Sequence, residues 1–166
     1  WAQGPLAKLE VRPVIPVPTG HVAENWQFSF DGRAWQLGFE LARDRRTLRE
    51  YIPEGQNVLD WSEMVTSGWT QERYDAAASL DSQVRYADRA HCKNHRLGVI
   101  AESDSTLILE FRHEGCMDYS AQHVIRRVSQ TPGGTATIAY AGRPAQSDAQ
   151  RARWLALLKA ATVKEP

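Results

Sequence analysis

Leu97-Gly98-Val99-Ile100-Ala101, Glu102-Ser103-Asp104-Ser105 and Thr106-Leu107-Ile108-Leu109-Glu110-Phe111-Arg112 follow one another without a break, and together they decide the fold. Two aliphatic runs flank four polar turn-formers, the pattern of a tight antiparallel hairpin. The chain continues in kind. Residues 122–129 form a further strand pattern, with Val124 and Val128 sharing a face with Arg126, so that one side is partly polar. Thr131-Pro132-Gly133-Gly134 makes a turn, and 135–141 completes the meander.

Upstream, Trp26-Gln27-Phe28-Ser29-Phe30 alternates apolar and polar residues and meets Asp31-Gly32. Alternation resumes with Trp35, Leu37, Phe39 and Leu41, which predicts a hairpin across the Asp-Gly turn. A third strand is expected over 47–52, closed by Pro53-Glu54-Gly55. Helical spacing follows. Asn57 serves as a cap, Val58, Trp61, Met64 and Val65 share one face, and Gly68 ends the segment. A second helix is predicted from about residue 71 to 89, with Ala77, Leu80, Val84 and Ala87 at spacings of three and four. A terminal helix starts at Ser147, whose hydroxyl and Gln150 form a capping-box pattern, and Trp154, Leu155, Leu158 and Ala161 make its stripe.

Short turns between successive strands favour antiparallel pairing, and an apolar sheet face needs a cover. The expectation is one α+β domain over 23–166, a mainly antiparallel sheet of about six or seven strands covered by two or three helices. Before it, Arg12-Pro13-Val14-Ile15-Pro16-Val17-Pro18 favours extended polyproline II, so 1–22 reads as a Pro-rich leader or tether.

The chain has 166 residues, enough for a real core without a metal. Its 20 basic and 20 acidic side chains cancel, which gives no global field to steer it onto nucleic acid. Arg43, Arg45, Arg46 and Arg49, and the pair Arg126 and Arg127, read as solvated faces. No stretch approaches the ~20 apolar residues that span a bilayer.

Cys92 and Cys116 are the only cysteines, and each has a histidine three positions away on its inner side, His95 and His113. Three chemistries fit. A disulfide needs only that the loop before one strand meet the end of its hairpin partner, and an even cysteine count suits an oxidising compartment. A zinc site could use Cys92, His95, His113 and Cys116 as two sulfurs and two nitrogens. A nucleophilic Cys92 would need a histidine base, and His91, Asn94 and His95 lie close by, although a tight loop aims such groups poorly at one point. The disulfide is the preferred reading, with the other two kept open. His123 on a strand is a candidate acid-base group, and more commonly such a residue is structural. Of the six tryptophans, Trp35, Trp61 and Trp154 have core phase, whereas Trp26 and Trp69 sit at element ends as possible contact residues.

The stretch Glu50-Tyr51-Ile52-Pro53-Glu54-Gly55-Gln56-Asn57-Val58-Leu59-Asp60-Trp61-Ser62-Glu63-Met64-Val65-Thr66 resembles a segment of small exported bacterial proteins of unknown function. Cys116, then Gln122-His123-Val124-Ile125-Arg126-Arg127-Val128, then Ile138-Ala139-Tyr140, carry the same resemblance, which covers about residues 25 to 162. It implies a periplasmic or secreted protein with paired cysteines and no assigned activity. Trp1-Ala2 ahead of Gln3 is expected to be a signal-peptide remnant. The element order is similar to the Mog1/PsbP-type fold, whose members mostly bind partners or assist assembly; fold does not fix function.

The function expected is an exported, non-enzymatic module, accessory or immunity-like, that binds a protein partner or a small ligand, with no cofactor, no nucleic acid and no transmembrane segment. The competing expectation is a hydrolase using Cys92 or His123, with or without zinc.

Overall fold

A computed structural model describes residues 26–117, 119–144 and 146–164. The expected leader over 1–22 lies outside the described residues. The elements run β1 (Trp26–Gln27), β2 (Trp35–Arg43), β3 (Arg46–Pro53), β4 (Glu63–Thr70), α1 (Ala76–Arg89), β5 (Cys92–Lys93), β6 (Arg96–Glu102), β7 (Thr106–Cys116), β8 (Tyr119–Thr131), β9 (Gly134–Gly142), α2 (Asp148–Ala160) and β10 (Thr162–Val163).

Two meanders share one sheet. β2-β3-β4 and β9-β8-β7 join through the β4–β9 pair, and β5 and β6 both pair with β7. Every pairing is antiparallel, so the chain is α+β with a mainly antiparallel sheet. That sheet has eight strands, more than the six or seven expected, and a separate two-stranded ribbon pairs β1 with β10. The described helices number two.

Three local expectations are corrected. The helix placed over 57–68 is instead a loop followed by β4. The hairpin across Asp31-Gly32 does not form: β1 pairs with β10, and β2 pairs with β3 through a turn in which Asp44 takes a positive φ of 53°. Asp31 spends its carboxylate on the Arg33 backbone N–H and the Trp35 indole N–H, which fixes a bend rather than a ladder. Finally, the register of β2 shifts between Leu37 and Phe39. Since strand side chains alternate, this bulge sends Phe39 to the face opposite Trp35 and Leu37.

The sheet is covered on both sides. Ile108 belongs to the main core, whereas Leu107 and Leu109 belong to a second cluster, and alternate residues of one strand face opposite ways. On the main face, Trp154 of α2 stacks on Tyr140 at 4.0 Å between centroids and meets Trp35 edge-on at 5.6 Å. Trp26, Phe28, Val65, Ile125, Ile138 and Leu158 close the same core. Trp26 is wholly buried and donates its indole N–H to the Thr137 carbonyl, so the contact role expected of it gives way to a core role. On the other face, Ala76 and Leu80 of α1 pack on Leu107, Leu109 and Val128, while Val84, expected in the helix stripe, is 42% exposed.

Arg126 and Arg127 are not a solvated pair. Being neighbours on β8 they point to opposite faces, and each holds one helix. Arg126 donates to Gln83 of α1 at 3.0 Å. The Arg127 guanidinium donates to the carbonyls of Leu158, Lys159 and Ala161, the unpaired end of α2. At the other end of α2 the expected capping box between Ser147 and Gln150 is present.

Candidate functional site

Cys92 and Cys116 stand opposite each other in the β5–β7 pair and are joined by a disulfide, with Cα atoms 4.0 Å apart. Asn94, at a positive φ of 47°, turns the chain from β5 into β6 and ties its amide to Glu114 at 2.6 Å. With the two sulfurs bonded to each other, neither is a thiolate, so in this form Cys92 and Cys116 are not ligands for zinc alongside His95 and His113. The same bond removes the nucleophile proposed at Cys92. His95 sets its Nδ1 3.2 Å from the Cys92 carbonyl, and the buried His113 ring lies 5.5 Å from Phe111.

His123 has no exposed surface. Its Nε2 contacts Glu110, which also accepts two hydrogen bonds from Arg151 of α2, at 2.7 and 2.8 Å, and two from Arg112, at 2.8 and 3.2 Å. The arginine bonds, with Arg151 foremost and His123 adding to them, hold the Glu110 carboxyl well below the usual carboxylate range against the opposing effect of burial. Burial pushes the His123 imidazole down, which Glu110 only partly offsets. Its Nδ1 is buried with no partner among the described residues, and the Arg112 Nε–H donates to its Nε2 at 3.1 Å. This cluster fastens α2 to the sheet.

A concave site of about 570 Å³ lies elsewhere, where the 54–62 loop meets the 143–144 turn and the start of β8. Gln56, Asp60, Trp61, Ser62, Ser120, Ala121, Arg143 and Pro144 line it. The loop is built from its own side chains. Gly55 takes a positive φ of 87° to turn the chain out of β3, and the Asn57 carboxamide accepts from the Leu59 and Asp60 N–H groups. The Gln56 amide reads Ser62 twice, accepting from its N–H and donating to its hydroxyl, both at 2.8 Å. Gln36 of β2 anchors the Gln56 carbonyl at 2.7 Å.

The opposite wall is tied to the first. The Arg143 N–H donates to the Ser62 carbonyl at 2.7 Å, and the Arg143–Pro144 peptide is cis. The Arg143 guanidinium lies over the Trp61 ring, 3.8 Å from its centroid, a cation–π stack. With the Gln122 amide turned so that its oxygen faces the arginine, that oxygen accepts from Arg143 at 2.9 and 3.0 Å. Two large apolar side chains near this end of the sheet stand in solvent: Leu59 is 79% exposed and Met117, beside the disulfide, 71%.

Sequence reasoning placed Trp61 on a helix and missed Arg143, Pro144, Ser120 and Ala121. One signal was available, since an X-Pro step followed three residues later by a helix N-cap marks a fixed turn. Trp69, expected as a contact residue, is half-buried at the margin of the main core, with its indole N–H unpaired among the described residues. No group of three or more His, Cys, Asp or Glu side chains among the described residues is placed to hold a metal ion. Comparison with protein families, curated proteins and solved structures gives no match for this chain.

Proposed function

We propose that this chain is a non-enzymatic module, periplasmic or secreted, that binds a small ligand or a protein partner in the site lined by Trp61, Arg143 and their neighbours. One observation carries the reading: both walls of that site are fixed by their own hydrogen bonds, Gln56 to Ser62 and Arg143 to the Ser62 carbonyl. A pocket that is already organised does not lose ordering entropy when a ligand arrives. The volume, about 570 Å³, lies within the span of small-molecule sites. The Cys92–Cys116 disulfide suits an oxidising compartment, and no helix among the described residues is long and apolar enough to cross a membrane. The resemblance to small exported bacterial proteins supports the same compartment, and an accessory or immunity-like role stays within this reading.

A ligand-observed NMR screen of a fragment library against wild type and Trp61→Ala tests it. Hits that compete with one another and vanish in the variant are expected. Hits scattered over the surface, or indifferent to Trp61→Ala, overturn the site. Turnover of ester, amide or phosphoester substrates that is lost in His123→Ala would overturn the non-enzymatic reading in favour of a hydrolase.

A further inference from the structure

Building on that reading, we infer that the ligand of the Trp61–Arg143 site is a neutral saccharide. The lining has a particular balance. Among the described residues it carries one carboxylate, Asp60, and one guanidinium, Arg143, and these two formal charges cancel. An anion would have to approach Asp60, and a cation would have to approach Arg143; neither gains from the site as a whole. A purely apolar ligand would strip water from Asp60, Ser62 and Ser120 without replacing those hydrogen bonds.

A sugar ring meets each of these groups with a matching one. Its hydroxyls both donate and accept, as the Ser62 and Ser120 hydroxyls do, while Asp60 accepts only. The Asp60 and Ser120 side chains are exposed and make no hydrogen bond to another described residue, which leaves their capacity for a ligand. The C–H face of a pyranose is apolar and flat. Trp61, Ala121 and Pro144 supply apolar surface, and the indole is held in place by the guanidinium 3.8 Å from its centroid. A large aromatic locked before binding gives contact area at little entropic cost. The site is also broad rather than sealed, since Asp60, Ser62 and Pro144 are all solvent-exposed. An open rim lets a chain of linked sugars enter and leave at either side.

The test is isothermal titration of the whole chain with cellotetraose, maltotetraose and chitotetraose, together with a printed array of bacterial and plant glycans. Saturable binding to at least one glycan is expected. Trp61→Ala should weaken it about tenfold or more, a loss equal to one aromatic contact. Asp60→Asn should weaken it by a smaller factor, and Val99→Ser, on the far β6 strand, should leave it unchanged. Near-UV circular dichroism checks that Trp61→Ala keeps its fold, and Trp61→Phe, which retains a flat ring, should lie between the two. Absence of saturable binding to every glycan overturns the saccharide inference. So does binding that survives Trp61→Ala in a folded variant, or capture of glycylglycine or inorganic phosphate in place of sugars. If fragments still map to the pocket while all glycans fail, the binding-site reading stands and only the ligand class falls.

Discussion

The two helices sit on opposite faces of one sheet, and they are held in unlike ways. α2 drives Trp154 and Leu158 into the largest core of the molecule, and Arg127 and Arg151 fasten it at both the carbonyl end and the flank. α1 has the cleaner amphipathic spacing, yet it rests on Leu107, Leu109 and Val128 by Ala76 and Leu80, and leaves Val84 and Tyr86 in solvent. Periodicity therefore says that a helix has an apolar side. What the sheet offers beneath it decides how much of that side is buried. Under α2 the sheet presents aromatic rings; directly under α1 it presents a short aliphatic patch of Leu107, Leu109 and Val128.

The sharpest break of this comparison is a pair of truncations. Trp154→Ala should cost about 3–5 kcal/mol in urea unfolding, the range for a wholly buried aromatic. Leu80→Ala, only partly buried, should cost about 1 kcal/mol. Equal losses would mean that the two faces carry the fold alike.

The second test concerns the disulfide, which closes the chain just after α1. Removing it by the double substitution Cys92→Ala and Cys116→Ala should cost about 3 kcal/mol in the chain-entropy account, for a separation of 24 residues. Alkylation of native protein without reductant should label no thiol. Two labelled thiols would remove the link from the α1 side altogether.

A smaller effect sharpens the α2 side through pH. The Glu110 carboxyl is depressed in the fold, so its contribution is complete above the unfolded carboxylate range and is lost as pH falls through the folded value. His123 is also depressed, by burial, so the unfolded chain binds the extra proton first and stability falls as pH drops below about 6.5. Unfolding free energies from urea titrations at pH 7.5 to 5 should therefore fall, by about 1.4 kcal/mol per pH unit or less for each such histidine. His123→Gln should flatten that fall. His113, on the opposite face, is shifted the same way by burial, and the double variant should be flatter still. Fall of equal steepness in every variant would exclude both rings as its cause.

The smallest effect is expected at the site. Trp61 is half-buried at the rim of the sheet, so Trp61→Ala should change stability by about 1 kcal/mol or less. A loss on the scale of Trp154→Ala would return Trp61 to the core.

Much of the fold was legible where partners are close in sequence. The β6–β7–β8–β9 run carries its turns with it, and the capping box of α2 is spelled out by Ser147 and Gln150. β4 was hidden for a physical reason. Glu63 and Ser67 are polar yet buried, Glu63 because it accepts from Tyr140 at 2.7 Å, so the period-two pattern is blurred. Met64 and Val65 face opposite sides and are both covered, and with Val58 and Trp61 they imitate a helical stripe. The β1–β10 pair was illegible because its two halves lie at opposite ends of the described chain. The candidate site was illegible for the same reason: Trp61, Ser120 and Arg143 come together only after β4, β8 and β9 have aligned.

The β1–β10 ribbon has a mechanical consequence. Trp26 pairs with Val163 and Gln27 with Thr162, so the outer end of each short strand lies at the same end of the ribbon. Tension applied through the residues flanking 26 and 164 would peel that ribbon open one pair at a time, rather than shear all its bonds at once. Force therefore meets the weakest ladder first, and the sheet only after the ribbon has parted. In an optical trap, a small early extension should precede the main rupture, and joining the two strands by a short linker should abolish it.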